Sequence, residues 1–195
     1  MTKFKNIINK NFDEHLATLR KISTKSLINK IYLASKIISK ALLEDKAIFW
    51  CGNGGSASDS MHLSAELIGR FKKKRRSLKS ISLAGNPATL TCISNDFGFL
   101  NIFSRQIEGL GSEGDVLVAI STSGKSRNII KVINQARKKK LNVISLLGND
   151  GGICKGKSDC ELIIKSNSTA RIQEMHILIG HILCDLIEKN VNIKN

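Results

Sequence analysis

The sequence predicts an α/β fold, a doubly wound sheet of five parallel strands flanked by helices and preceded by two further helices. Three observations predict it. Short β-branched apolar runs alternate along the chain with stretches of helical periodicity, the order that builds a parallel sheet. The central run, Val116-Leu-Val-Ala-Ile120, is apolar at every position and reads as a buried strand. Two of the runs end in glycine- and hydroxyl-rich turns that lead straight into a helix.

Residues 4–21 and 24–45 read as amphipathic helices. In the second, Leu27, Ile31, Ala34, Ile38 and Leu42 recur at helical spacing with lysines between them, and Ser23 or Thr24 supplies the cap. Two such leading helices cannot bury themselves alone, so they must pack on the sheet or on another subunit. Ala47–Cys51 is the first strand, and a helix runs from the turn Asn53-Gly-Gly-Ser56 towards Arg70. Ser80–Ala84 is the second strand. Asn86-Pro87 opens a short helix, with Asn as cap and proline at the first helical position. Ser94-Asn95-Asp96-Phe97-Gly98 then reads as a polar turn. Phe99 to Leu110 is helical and closes at Gly111. The strand Val116–Ile120 passes through Ser121-Thr122-Ser123-Gly124 into a helix that begins near Ser126, with its body over 131–140. Asn142–Leu147 and Cys160–Ile164 are the remaining strands, and Ala170–Lys189 is a long final helix. There is no internal repeat and no linker. Residues 1–195 are therefore expected to form one domain, with 1–45 for packing or oligomerisation and 46–190 as the α/β core.

Composition narrows the function. With 195 residues and 42% apolar content, the chain is neither disordered nor membranous. No apolar run approaches the ~18 residues of a membrane span. The amphipathic pattern begins at once after Met1, with no signal-peptide core, and a cytoplasmic location is expected. The cysteines at 51, 92, 154, 160 and 184 are odd in number and lack a CxxC pair, which argues against a disulfide framework or a cysteine zinc site. A net charge of +15 first suggests nucleic acid. The excess is spread along the chain, however, and its one dense run, Lys72 to Arg76, reads as a solvated loop between elements. Attraction of small anions remains.

The turn Ser121–Ser126 suits such an anion, or is an ordinary strand–turn–helix connection with a Ser/Thr cap. Ligands of open parallel sheets bind beyond the carboxyl ends of strands, and a helix starting there offers unpaired N–H groups and a positive dipole end. Gly52-Asn53-Gly54-Gly55-Ser56 is a second turn of this kind, and together the two predict one crevice. Neither matches GxGxxG or the nucleotide P-loop. His62 and Glu66 follow on one helix face, four apart, as metal ligands, as a proton-transfer pair, or simply as an exposed polar pair. On the apolar final helix Gln173, Glu174, His176 and His181 stand out. Gln173 and His181 are about 12 Å apart in axial rise, so spacing alone does not bring them together.

The motifs CGNGGS, NDFGF, GDVLVAISTSGKS and TARIQEMHILIGHIL resemble, in order and spacing, those of the bacterial phosphoheptose isomerases of the SIS (sugar isomerase) superfamily. The resemblance runs from about Ile48 to Glu188. It implies a flavodoxin-like sheet and conversion of sedoheptulose 7-phosphate to D-glycero-D-manno-heptose 7-phosphate, for the heptose of the lipopolysaccharide core. It further implies a homotetramer with active sites between subunits and one zinc per subunit, held by His62, Glu66, Gln173 and His181. Substrate contacts are implied at Asn53, Gly54, Gly55, Glu66, Asn95, Asp96, Ser121, Thr122, Ser123, Ser126 and Gln173. Glu66 is expected as base and His181 as acid. The match departs at Ala170, where family members often carry Asp.

A close relative in the superfamily is a non-catalytic protein that binds the replication initiator DnaA, which Ala170–His176 and Cys184–Ile187 also resemble. That relative lacks the counterparts of Glu66 and His181, and this chain has both. A transcription regulator would need a DNA-reading domain, for which the ~45 residues before the sheet leave little room. Arabinose 5-phosphate isomerases usually continue into a regulatory domain. The expected partner is thus a sugar phosphate, with no membrane and no nucleic acid.

Overall fold

A computed structural model describes residues 2–191. Helices α1 (Thr2–Ile22) and α2 (Lys25–Leu43) lead into β1 (Ile48–Cys51), α3 (Gly55–Ile68), β2 (Ser80–Ser82), α4 (Pro87–Phe97) and α5 (Ser104–Leu110). Then follow β3 (Val116–Ser121), α6 (Arg127–Lys138), β4 (Asn142–Gly148), β5 (Cys160–Ile164) and α7 (Thr169–Asn190). The five strands form one wholly parallel sheet in the order β2-β1-β3-β4-β5. The chain moves outward from β1 in one direction to β2 and in the other to β3, so the topological switch point lies between β1 and β3.

Alternation along the strands builds two cores. Ile48, Trp50, Val116, Val118, Ile120, Ile144 and Leu146 face a layer that includes α2, α3 and α7. Phe49, Cys51, Leu117, Ala119, Val143 and Leu147 face the other, with Ile107 of α5 and Ile129, Val132 and Ile133 of α6. Every residue of β3 is buried, as its continuous apolar run requires. Asp115, itself buried, accepts from the amides of Ala47 (2.9 Å) and Ser112 (2.7 Å) and sets the starts of β1 and β3 level.

Four local readings change. The edge strand β2 stops at Ser82 instead of Ala84, because the Ser82 hydroxyl accepts from the Ala84 amide and turns the chain away. Ser94–Phe97 is the last turn of α4, not a loop. Asn86 caps that helix by accepting from the Thr89 amide, and it runs on until Gly98 at φ +83° stops it. The segment 99–110 is a short 3-10 turn (Phe99–Asn101) followed by α5, not one helix. The lysine-rich run 72–76 is also not simply a solvated loop: the Arg75 side chain is only 5% exposed.

All five cysteines are free thiols and only Cys92 is exposed. Burial pushes the Cys154 thiol up to about 11 and the Cys184 thiol up to about 12. None of the described helices is long and apolar enough to cross a membrane.

Candidate active site

The two glycine-rich turns lie side by side at the β1/β3 switch point, as strand pairing demands. A reciprocal amide pair ties them together. Asn53 Nδ2 donates to Asn128 Oδ1 (2.9 Å) and Asn128 Nδ2 donates to Asn53 Oδ1 (2.8 Å). Asn128, nearly fully buried in the first turn of α6, was not legible as a site residue. Its only sequence signal is a polar residue beside a helix start.

In the second turn the Ser121 and Ser126 hydroxyls are 3.2 Å apart, and Ser121 also accepts from the Gly124 amide (3.1 Å). The Ser123 hydroxyl accepts from the Lys125 amide. Ser126 stands at the N-cap of α6 without spending its hydroxyl on a cap bond, so the first N–H groups of this helix stay open to an anion. Gly124, at φ +63°, is required by packing. A side chain there would collide with the backbone of Gly151 and Gly152, so the glycine admits the neighbouring β4 turn and not a ligand.

The candidate chemistry lies on α3 and α7, which run side by side with their ends in the same sense. Gly55 meets Gln173, Leu63 meets Gly180 and His62 meets His181. A Cβ at Gly180 would overlap the Leu63 methyls, so this glycine sets the close approach of the helices. The Nε2 atoms of His62 and His181 are 2.9 Å apart, and Glu66 Oε1 is 3.6 Å from His62 Nε2. The Phe71 ring stacks on His181, with centroids 5.5 Å apart and planes 23° from parallel. The His62 side chain is 47% exposed and that of Glu66 23%, so the cluster opens to the outside.

Gln173 packs over Gly55, two turns of α3 from His62, beside Asp59. Asp59 is a further residue that nothing in the sequence marks, although it lies three before His62 on the same face. Burial pushes its carboxyl up, against the Gln173 amide and the charge on His62, and its Oδ2 has no hydrogen-bond partner. His176 points the other way, fully buried, with neither ring nitrogen hydrogen-bonded. Glu174 bridges Arg171 and His15 of α1 and serves packing. Asn95 and Asp96 are exposed at the end of α4, where Asn95 Nδ2 donates to Asp96 Oδ1 and the Cys92 thiol donates to Asp96 Oδ2.

Zinc binds imidazole and carboxylate donors in tetrahedral sets. His62, His181 and Glu66 match by donor type, with His62 beside both of the others. Gln173 lies over Gly55 instead, and among the described residues no three His, Cys, Asp or Glu side chains are placed so as to hold a metal ion.

Comparison with known proteins identifies the family. The SIS domain family model matches residues 11–148. The chain is 50% identical over 183 residues to a phosphoheptose isomerase of Nitratiruptor, covering 94% of this chain and 97% of that protein. The structure of a phosphoheptose isomerase from Francisella tularensis superposes with a TM-score of 0.92 at 35% identity, over 97% of this chain and 100% of that one. The Neisseria gonorrhoeae enzyme gives 0.88 at 37% identity, over 95% and 99%. With the α3/α7 cluster and both turns in place, the chain belongs to the phosphoheptose isomerase family of SIS-domain proteins.

Proposed function

We propose that this protein is an aldose–ketose isomerase converting sedoheptulose 7-phosphate to D-glycero-D-manno-heptose 7-phosphate, in the cytoplasm, for lipopolysaccharide core heptose. The observation that carries the reading is the meeting of Glu66, His62 and His181 on the α3/α7 pair, in a chain half identical to a phosphoheptose isomerase. The non-catalytic alternative has no use for this carboxylate and imidazole. Incubation of the purified protein with sedoheptulose 7-phosphate, followed by detection of the aldose, tests it. Absence of turnover in metal-replete protein would sink the proposal.

The reaction moves a proton between C1 and C2 through an enediol(ate). It needs a base for the carbon acid, an acid for the carbonyl oxygen, and positive charge near the developing oxyanion. Glu66 is the base and His181 the acid in this proposal. Zinc held by His62, Glu66 and His181, with Gln173 recruited from its place over Gly55, would supply the positive charge. Metal analysis should find about one zinc per chain, and His62→Ala should lose it while keeping the fold. Retention of full zinc by that variant would remove His62 from the ligand set.

The Ser121–Ser126 turn, with Asn53, Gly54 and Gly55 across the crevice, holds the phosphate end. Ser126→Ala should therefore raise KM about tenfold with kcat nearly kept. Its melting temperature should barely move, because the hydroxyl caps no helix amide. A fall in kcat at constant KM would contradict a purely binding role.

The site is proposed to be completed between the subunits of a homotetramer, and two features support this. Glu66 is eleven residues beyond Gly55 on α3, about 16 Å along the axis, which places it far below its own chain's phosphate turn. The apolar sides of α1 and α2 also ask for cover: Phe4 is 71% and Phe12 66% exposed, with Ile7, Ile8, Tyr32 and Leu33 beside them. Asn95 and Asp96, outward on α4, then face a neighbour's site. Light scattering should give four times the 21.4 kDa chain mass.

A further inference from the structure

We infer that Arg75 and Glu188 are positioning residues of the isomerase, an ion pair that holds Glu66 and His181 in register for proton transfer. The inference rests on the isomerase reading and goes beyond it, since neither residue belongs to the candidate ligand or substrate set.

Glu188 lies seven residues past His181, two turns along α7 and on the same side. Its carboxylate is 1% exposed and accepts four bonds. The donors are the amides of Phe71, Lys72 and Lys73, each at 2.9 Å, and Arg75 Nε at 3.0 Å. Burial pushes its carboxyl up, but the three amides and the guanidinium outweigh burial and hold it below the ordinary value. Arg75 then turns the rest of its fork on the end of α3. Nη2 donates to the Glu66 carbonyl (2.8 Å), and Nη1 to the carbonyls of Leu67 (2.8 Å), Arg76 (3.0 Å) and Gly69 (3.3 Å). A helix leaves its last carbonyls without partners and favours a cation there. The last turn of α3 carries no basic residue of its own, so Arg75 supplies the charge from the loop beyond.

One ion pair thus reaches both members of the proton-transfer pair. It grips the backbone of Glu66 through Arg75. Through Glu188 it fixes the amide of Phe71, whose ring stacks on His181. Stability alone is a weak reason for such a buried pair, because its attraction roughly offsets its desolvation and apolar residues would hold the helices as well. What the planar fork and the carboxylate add is direction.

The test compares Glu188→Gln, Arg75→Lys and Phe71→Leu with a control, Lys74→Ala, in the same loop. Glu188→Gln keeps volume but turns an NH2 group towards N–H donors. Arg75→Lys keeps charge but loses the fork. Phe71→Leu leaves the ion pair and removes only the stacking. For sedoheptulose 7-phosphate, assayed well below each melting temperature, we expect kcat about 10- to 100-fold lower in the first two, because small misplacements of reacting groups are costly. KM should stay within about threefold. Phe71→Leu should lose about tenfold in kcat, which keeps the proposal testable if the ion-pair variants fold poorly. Lys74→Ala should match the wild type. Histidine ring NMR should show the His181 signals displaced in all three variants, with His15 unchanged. Variants that melt earlier yet keep wild-type kcat, or that lose KM alone, would overturn the positioning role. If the wild type itself does not turn over, the isomerase reading fails, and the His181 spectra still decide whether the clamp sets that ring.

Discussion

Glu66→Gln should lower kcat by about 10²- to 10⁴-fold, the range that a positioned general base contributes, with KM for sedoheptulose 7-phosphate little changed. Glutamine fills the same volume and can still accept through its carbonyl oxygen, so the α3/α7 packing around Leu63 and Gly180 should persist. It cannot take a proton from carbon. The phosphate handle lies on other residues, the Ser121–Ser126 turn and Asn53, so ground-state binding should survive and the loss should fall on the chemical step. Exchange of the C1 or C2 hydrogen with solvent deuterium isolates that step: the variant should stop exchanging while still binding substrate. Near-normal turnover would remove Glu66 as the base. Loss of binding in parallel with kcat would instead make it a ground-state contact.

The largest expected effect on stability comes from His176, a histidine the chemistry does not use. Buried with no hydrogen-bond partner on either ring nitrogen, it has its pKa driven by burial down to about 4, against an ordinary 6.5, with the Leu147 backbone opposing only in part. The folded state therefore refuses a proton that the unfolded chain accepts. Above pH 6.5 the group contributes nothing to the pH dependence. As pH falls from 6.5 towards 4, stability is lost at up to ~1.4 kcal/mol per unit, reaching about 3 kcal/mol. His176→Met, apolar and adaptable, should remove this slope. Urea midpoints of both proteins at pH 7, 5.5 and 4.5 provide the comparison, and titrations shared by the two, such as those of Asp59 and Glu188, cancel in the difference. Parallel acid profiles would show that His176 is not the group responsible.

The sheet was legible because each strand is its own signal. A run such as Val116–Ile120, apolar on both faces, has few alternatives to a central parallel strand, and the Gly- and Ser-rich turns at Gly52–Ser56 and Ser121–Ser126 announce helix starts. Local polar stretches were less legible. Ser94–Phe97 carries turn-forming residues, yet the cap at Asn86 carries the helix through them to Gly98. The run Lys72–Arg76 read as solvent-facing because charge usually is, and only the partner carboxylate of Glu188, more than a hundred residues away, makes Arg75 an exception.

From the sequence alone came the order of elements, the two anion-ready turns, the His62/Glu66 spacing and, through resemblance, the family and its chemistry. What only the tertiary structure decided is which face of α7 meets α3. His176 and His181 are five residues apart, about 140° around the helix at 3.6 residues per turn, so they cannot both serve the same site. Periodicity along one helix cannot choose between them, because the choice depends on where the neighbouring helix lies. The close approach at Leu63–Gly180 sets that neighbour. It brings His181 against His62, sends His176 into the core, and lets the Arg75–Glu188 pair close over the ends of both helices.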